Sequence, residues 1–178
     1  MSGVILPYKN ILPTIDTTAF IAPTAVVIGD AVVGPDTGLW FGVVVRGDVN
    51  EIRIGARVNI QDGSVIHVTS GGCGTYIGDD VTVGHMAVLH ACTLETGSFV
   101  GMKACVMDGA VVESQAMVAA GALVTPNKRI KSGQLWAGSP ARHIRDLTPE
   151  EIAFFPKSAK HYVELARQYR QQLAASQG

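Results

Sequence analysis

The chain has 178 residues, which is enough for one domain with a sizeable core. Its 14 basic and 15 acidic residues leave a net charge of −1, which excludes the electrostatic footprint of a protein that binds nucleic acid or an anionic membrane. Only 16% of the residues are charged and 47% are hydrophobic, so we expect part of the surface to be buried in an oligomer.

Three cysteines, Cys73, Cys92 and Cys105, are an odd number and include no CxxC pair. We therefore expect free thiols in a reducing compartment, and hence a cytoplasmic protein. Residues 1–13 have no basic segment and a broken apolar run, so they predict no signal peptide. No window approaches the roughly 18 apolar residues of a membrane span, so we expect no membrane partner.

A six-residue spacing of apolar residues begins near the amino terminus and continues through most of the chain. This spacing predicts hexapeptide repeats, in which each hexad forms one side of a triangular coil and three hexads close the coil. The predicted fold is all-β, a parallel β-helix over residues 1–125 with coils about 4.8 Å apart. The anchors, which we expect to point inward, are Ile21, Val27, Val33, Leu39, Val45, Ile54, Ile60, Ile66, Ile77, Val83, Leu89, Leu94, Val100, Val106, Val112, Val118 and Val124.

The spacing is broken at three places, all close to histidines. The intervals 45–54, 66–77 and 89–94 span nine, eleven and five residues instead of six. Repeat proteins carry function on the loops that interrupt the repeat. We therefore expect the functional site beside these breaks.

After Val124 the six-residue pattern ends, and residues 126–178 are predicted to form an extended exit segment and a helix packed on the coils, within the same structural unit. The sequence TPEE at 148–151 predicts a capping box with Pro149 at the first helical position. Pro156 is expected to interrupt the helix. The apolar stripe of the helix beyond it comprises Ala159, Tyr162, Val163, Ala166, Tyr169 and Leu173.

Counting the sides of the coils places two of the five histidines in one column. Ile66 and Leu89 are three sides apart, which is one full coil, so the residues that follow them, His67 and His90, stack about 4.8 Å apart. Arg46 falls in the same column one coil earlier. Stacked imidazoles of this kind can converge on one metal ion.

His85 lies one third of a turn before the other two histidines, where Asp62 stacks one coil away beside Gln61. One chain cannot easily bring all three histidines to one ion. The spacing therefore predicts a threefold oligomer, in which the face with Arg46 meets the corner with His85 of the next protomer and completes the site. We expect Arg46 to pair with Asp62 across that interface.

Three motifs, RGD at 46–48, NIQDGSVIH at 59–67 and VGHMAVLH at 83–90, resemble the gamma-class carbonic anhydrases, and the likeness covers nearly the whole chain. The resemblance implies a homotrimer of left-handed β-helices with zinc, or iron or cobalt, at each interface. The implied metal ligands are His67, His85 and His90, and the implied polar residues near the metal are Arg46, Asp48, Gln61 and Asp62. Asn59 and Tyr162 are further candidates for residues that support the site from behind the ligands. Alternatively, Tyr162 belongs only to the apolar stripe of the helix.

The resemblance also implies reversible hydration of CO₂ to bicarbonate. Zinc lowers the pKa of bound water to about 7, so hydroxide can attack CO₂ at neutral pH. Gln61 would orient the hydroxide or the CO₂, while Arg46 and Asp48 would hold the interface and the polar surroundings. Val49 stands where the prototype of the family has a glutamate, and the loop VTSGGCGT lacks the prototype's proton-shuttling glutamate, so regeneration of hydroxide can limit turnover.

Two other functions stay open. One is acyl transfer with coenzyme A or another acyl carrier, which is common among hexapeptide β-helices and requires a catalytic histidine on a protruding loop. The other is a non-catalytic protein that binds a metal or an iron-siderophore. Metal content separates acyl transfer from a three-histidine metal site.

Overall fold

The computed structural model describes residues 3–175, which form twenty strands and one α-helix. Two short stretches lie outside the described residues. Residues 1–2 belong to the predicted segment 1–125 and to the stretch for which no signal peptide is predicted. Residues 176–178 belong to the predicted segment 126–178. The strands are β1 (Val4–Leu6), β2 (Thr14–Ile15), β3 (Phe20–Ile21), β4 (Val26–Val33), β5 (Gly38–Leu39), β6 (Val44–Ile54), β7 (Asn59–Ile60), β8 (Val65–His67), β9 (Thr75–Ile77), β10 (Thr82–Val83), β11 (Val88–His90), β12 (Thr93–Leu94), β13 (Phe99–Val100), β14 (Cys105–Val106), β15 (Val111–Val112), β16 (Met117–Val118), β17 (Leu123–Val124), β18 (Arg129–Ile130), β19 (Gln134–Gly138) and β20 (Ala141–Asp146). The helix is α1 (Pro149–Ala175).

The strands stack in parallel into the three faces of a triangular prism. Face 1 contains β1, β8, β11, β14 and β17 with the first parts of β4 and β6, and face 2 contains β2, β9, β12, β15 and β18 with their last parts. Face 3 contains β3, β5, β7, β10, β13, β16 and β19, and β20 returns antiparallel to β19. The predicted fold class, a left-handed parallel β-helix with a C-terminal helix, is confirmed, with about seven coils.

The anchors that the six-residue spacing predicts are all buried in the core of the prism. Parallel pairing aligns the anchors of successive coils, as Val45 with Ile66 and Ile66 with Leu89. Burial of each aliphatic side chain contributes about 1.5–3 kcal/mol. Because an inward anchor fixes its neighbours outward, the stacked core sets the register of every exposed side chain.

The corners of the prism repeatedly use a residue with left-handed backbone, three positions after an inward anchor. Gly97 (φ 69°) follows Leu94 in this way, and Gln115 (φ 59°) follows Val112. Glycine adopts this conformation freely, whereas another residue costs roughly 1–2 kcal/mol. The tight corner lets the chain start the next face without leaving the six-residue repeat.

We expect Gly97→Ala to lower the free energy of unfolding by about 1 kcal/mol. A Cβ at Gly97 would meet no atom within 4 Å, so the cost is conformational rather than steric. The reverse change at an equivalent exposed corner, Gln115→Gly, is the matched control and should preserve or raise the stability. Urea unfolding measures both variants, and an equal loss in the two would contradict this account of the corners.

The breaks in the repeat lie at the corner between face 1 and face 2. β4 and β6 run through this corner without a turn, and residues 48–51 of β6 stand opposite the single residue Asp30, so three extra residues bulge outward. In the next coil, residues 68–74 form the loop between β8 and β9. One coil later the corner is shortened, and Ala91 takes a left-handed φ of 46°.

The coils do not end at Val124 as predicted. β18 pairs in parallel with β15, and β19 pairs in parallel with β16. Ile130 and Trp136 keep the six-residue spacing, and Ile130 is fully buried. The pattern is hard to recognise because the polar stretch TPNKRIKSG surrounds Ile130 and an aromatic residue stands at the following anchor position.

The helix α1 packs along face 3, where it contacts β3, β5, β7 and β10. The predicted apolar stripe is confirmed, since Ala159, Val163 and Ala166 are buried and Tyr162 and Tyr169 pack half-buried against the core. This contact covers face 3 and adds an outer layer to the prism. Across residues 3–175, no helix has the length and apolar character needed to cross a lipid bilayer.

The helix begins at the predicted capping box but continues through Pro156. The Thr148 hydroxyl accepts a hydrogen bond from the N–H of Glu151 (3.3 Å), and the Glu151 carboxylate accepts one from the N–H of Thr148 (2.9 Å). The prediction that Pro156 interrupts the helix is wrong, since α1 is continuous there. Proline removes one backbone hydrogen bond, and the buried side chains of Phe155 and Ala159 hold the turns on either side against the coils.

Candidate metal centre

Face 1 differs from face 2 in the side chains that it presents outward, and from face 3 in having no helix packed over it. One outward column is apolar in every coil and consists of Val4, Val26, Val44, Val65, Val88, Cys105 and Leu123. The equivalent column of face 2 is largely polar and consists of Thr14, Val32, Arg53, Tyr76, Thr93, Val111 and Arg129. Because Val65 and Val88 are 37% and 38% exposed, face 1 is an apolar surface that lacks the cover that α1 gives to face 3.

His67 and His90 lie on the edge of face 1 where its strands end. These residues pair in register between β8 and β11, which confirms the predicted column. Nδ1 of His67 lies 3.2 Å from Nε2 of His90. The other nitrogen of each ring contacts a carboxylate, because Nε2 of His67 lies 3.0 Å from Asp48 and Nδ1 of His90 lies 2.7 Å from Asp108. We call these four residues, with Arg46, the strand-end half-site.

Asp48 lies in the bulge of β6 and joins His67 to Arg46, whose guanidinium pairs with its second carboxylate oxygen. Burial alone would raise the pKa of Asp48, but the hydrogen bonds that it accepts from His67 and Arg46 outweigh burial and lower this pKa. The hydrogen bond from His90 similarly lowers the pKa of Asp108. Ionised carboxylates only accept hydrogen bonds, so the ring nitrogens that face them carry the protons.

The opposite edge of face 1 carries Gln61, Asp62 and His85, which we call the corner half-site. Gln61 and Asp62 lie between β7 and β8, and His85 lies one coil later between β10 and β11. Nδ1 of His85 lies 2.9 Å from the Asp62 carboxylate, as the predicted stacking requires. Among the described residues no hydrogen bond or ring contact joins His85 to the other half-site, and no three His, Cys, Asp or Glu side chains form a group that could hold a metal. One protomer therefore divides the three histidines between two edges of the same face.

Gln61 is buried, and a chain of hydrogen bonds connects it to α1. Its Nε2 donates to Oδ1 of Asn59 (3.0 Å), and Nδ2 of Asn59 donates to the hydroxyl of Thr82 (2.9 Å). The Thr82 hydroxyl lies 3.3 Å from that of Ser158 on the helix. The orientation of the Gln61 amide thus depends on the docking of α1 on face 3.

Tyr162 belongs to the helix packing and lies near the corner half-site. Its ring packs edge-on against Trp40, with centroids 5.5 Å apart. Burial, and secondarily the negative charge of Asp62, raise the pKa of Tyr162. The packing of Tyr162 confirms its place in the apolar stripe, while a role behind the metal site stays a prediction.

The strand-end half-site fits two ligands of a tetrahedral metal ion. With metal–nitrogen bonds of about 2.0–2.1 Å, two imidazole nitrogens on one zinc ion lie about 3.3–3.4 Å apart, close to the 3.2 Å between His67 and His90. When each neutral ring directs its N–H at its carboxylate, the two facing nitrogens both present lone pairs, an arrangement that a shared cation would stabilise. Carboxylates placed behind imidazoles are typical of metal sites. His85, whose Nδ1 contacts Asp62, has its Nε2 left for a third bond.

Three residues of these networks, Asp108, Thr82 and Ser158, are not predicted by the sequence patterns. Extending the histidine column by one coil reaches Met107, and Asp108 is the next residue, so the column indicates the neighbourhood of Asp108 but not the residue itself. Thr82 and Ser158 carry no such signal, because their contact depends on how the helix docks against face 3.

No protein-family model matches the chain. The chain is 52% identical over 160 residues to "Gamma carbonic anhydrase 1, mitochondrial" of Arabidopsis thaliana, which covers 87% of this chain but only 58% of that protein. It is 46% identical over 178 residues to "Protein YrdA" of Escherichia coli, with 97% of each protein covered. The crystal structure of a hexapeptide transferase family protein from Anaplasma phagocytophilum superposes with a TM-score of 0.90 at 49% identity and covers 93% of this chain and 98% of that one.

Proposed function

Because the chain belongs to the gamma-class carbonic anhydrase family, we propose that it catalyses the reversible hydration of CO₂ to bicarbonate at metal sites shared between the protomers of a homotrimer. The observation that carries this proposal is the pair of facing nitrogens of His67 and His90, 3.2 Å apart, with the other nitrogen of each ring on a carboxylate. His85 of a neighbouring protomer would supply the third imidazole.

The trimer is supported by the position of the two half-sites on opposite edges of one apolar face. If three prisms pack with face 1 toward a threefold axis, the strand-end half-site of each protomer lies beside the corner half-site of the next. The apolar column that includes Val65 and Val88 would give this interface a dry core. Met86, which is 58% exposed beside His85, extends the apolar area to the corner half-site.

Three imidazoles backed by carboxylates fit zinc, and they also suit iron or cobalt. When bound, such a metal acidifies water, so that hydroxide is available for addition to CO₂ at neutral pH. The chain's own contribution is to hold each imidazole in one tautomer and one orientation. Asp48 does this for His67, and Asp62 does it for His85.

The remaining polar residues would arrange the reactants and the interface. Gln61 is the residue proposed to orient the hydroxide or the CO₂, since it is buried and its amide is held by Asn59. Arg46 holds Asp48 within the protomer, and we propose that it also approaches Asp62 of the partner subunit. Tyr162 would support the site from behind, through Trp40, without contacting the reactants.

Proton release is the step to which the chain contributes least. The loop 68–74 contains no carboxylate, and the exposed Val49 replaces an acidic residue of the family's prototype. Without a shuttle residue, protons must leave through water or buffer. The rate of hydration is therefore expected to rise with buffer concentration.

Acyl transfer is the second candidate, because the Anaplasma structure described above carries the name of a transferase family. That reaction needs a histidine nitrogen that is open to a substrate. In the strand-end half-site, His67 and His90 turn their remaining nitrogens toward each other, which favours a cation over an acyl acceptor. A non-catalytic metal-binding or siderophore-binding protein would keep the same ligands and lack hydration.

We also propose a cytoplasmic location for the protein. Cys73, Cys92 and Cys105 are all free thiols, which is typical of a reducing compartment. Burial raises the pKa of Cys92 to about 12, so this thiol stays protonated and unreactive.

The proposal is tested by metal analysis and stopped-flow CO₂ hydration on protein purified under reducing conditions. We expect one zinc, iron or cobalt ion per chain, with hydration that a chelator removes and added metal restores. Metal without hydration would indicate the non-catalytic binding protein. No bound metal would refute the proposal, and acetyl-coenzyme A turnover would then test acyl transfer.

A further inference from the structure

Each of the three candidate ligands contacts its own carboxylate in the structure. His67 contacts Asp48 (3.0 Å) and His85 contacts Asp62 (2.9 Å), and both of these aspartates lie within the sequence motifs described above. The carboxylate of His90 comes instead from Asp108, at 2.7 Å, the shortest of the three contacts. Asp108 lies in the corner between β14 and β15, outside every motif.

The two nitrogens of His90 have different partners. Nδ1 faces Asp108 and Nε2 faces Nδ1 of His67. A carboxylate only accepts hydrogen bonds, so the proton of a neutral His90 lies on Nδ1 and the lone pair lies on Nε2. The opposite tautomer would place its proton between the two histidines, where a metal would have to bind.

Asp108 is itself held by the surrounding coils. The side chain of Thr69, in the loop 68–74, lies near this carboxylate and favours its charged form. Its backbone carbonyl accepts a hydrogen bond from the N–H of Asn127 in the following coil (2.9 Å). The carboxylate is thus fixed on one side of the imidazole, independently of any second protomer.

We propose that Asp108 is a positioning residue that fixes the tautomer and the ring orientation of His90, so that Nε2 is presented to the metal. The metal in this inference rests on the proposed function, whereas the effect of Asp108 on the geometry of His90 does not. Asp108 acts through His90 and does not contact the reactants.

The first test compares zinc affinity, by competition with a chelator, in the trimeric protein and in Asp108→Asn and Asp108→Ala. We expect affinity to fall about 10–100-fold in both variants, the usual loss when a partner behind a metal ligand is removed. Asp80→Asn is the matched control, since Asp80 is also a corner carboxylate but pairs with Arg57, and its affinity should stay within about twofold of the unaltered protein. Unchanged affinity in both Asp108 variants would overturn the inference.

The second test needs no metal. Nitrogen-15 NMR of the histidine rings in metal-free protein should show His90 protonated on Nδ1, and Asp108→Ala should shift it toward the Nε2–H tautomer. If the unaltered protein bound no metal, the proposed function would fail while this measurement still decided whether Asp108 orients His90. A His90 tautomer that is the same with and without Asp108 would overturn the inference.

Discussion

His90→Ala is expected to empty the metal site and to reduce CO₂ hydration by at least about 100-fold, since loss of a ligand costs more than the 10–100-fold lost with a partner behind one. The change leaves Nδ1 of His67 without a second nitrogen at 3.2 Å, and a protomer then contributes one imidazole instead of two. His90 points outward from β11 and is only half-buried, so the anchors of the core should be unaffected. Metal analysis and stopped-flow hydration on the same sample measure both effects.

The control for this variant is His143→Ala. His143 is an exposed histidine on β20 whose Nε2 lies 3.3 Å from Asp146. We expect it to retain one metal per chain and full activity. Retention of a full metal complement by His90→Ala, with unchanged thermal unfolding, would contradict the three-histidine site.

Val88→Glu is expected to convert the proposed trimer into monomers and thereby to abolish metal binding. Val88 lies in the middle of the apolar column of face 1 and is 38% exposed in the single protomer, so a glutamate there can reach water. In the proposed trimer, three such carboxylates would be buried near one axis without partners, at a cost of several kcal/mol each. Because each proposed site would combine half-sites from two different protomers, dissociation would leave no complete site.

The matched control is Val111→Glu. Val111 occupies the same outward position of a hexad on face 2, where its neighbours in the column are Thr93 and Arg129. Sedimentation velocity should give a trimer for this variant and a monomer for Val88→Glu, with similar circular dichroism. A metal-loaded trimer of Val88→Glu would show that face 1 is not the interface.

The sequence predicts the register of the coils to the residue, because an inward anchor in every hexad leaves little freedom to the side chains between them. His67 and His90 pair as the count of sides requires, and so do the half-site residues Asp62 and His85. The division of the histidines between two edges of one face follows from the same count. The apolar character of that face, on which the proposed interface rests, is apparent only when all seven outward positions are aligned by strand pairing.

Other features depend on contacts that spacing does not encode. Asp108 reaches His90 around a corner, so its role depends on side-chain direction as well as on register. Pro156 is a helix breaker in isolation, but packing of α1 on face 3 outweighs the loss of one backbone hydrogen bond. The last coil is obscured because Ile130 stands among polar residues and Trp136 replaces an aliphatic anchor.

The most direct test of a shared site is complementation between two inactive variants. His90→Ala lacks a ligand in the strand-end half-site, and His85→Ala lacks the ligand of the corner half-site, so neither should bind metal alone. When the two are co-expressed in equal amounts, each mixed trimer contains one interface with both half-sites intact, and random assembly should restore about a quarter of the metal and activity of the unaltered protein. A mixture that binds no more metal than the separate variants would contradict a site completed between protomers.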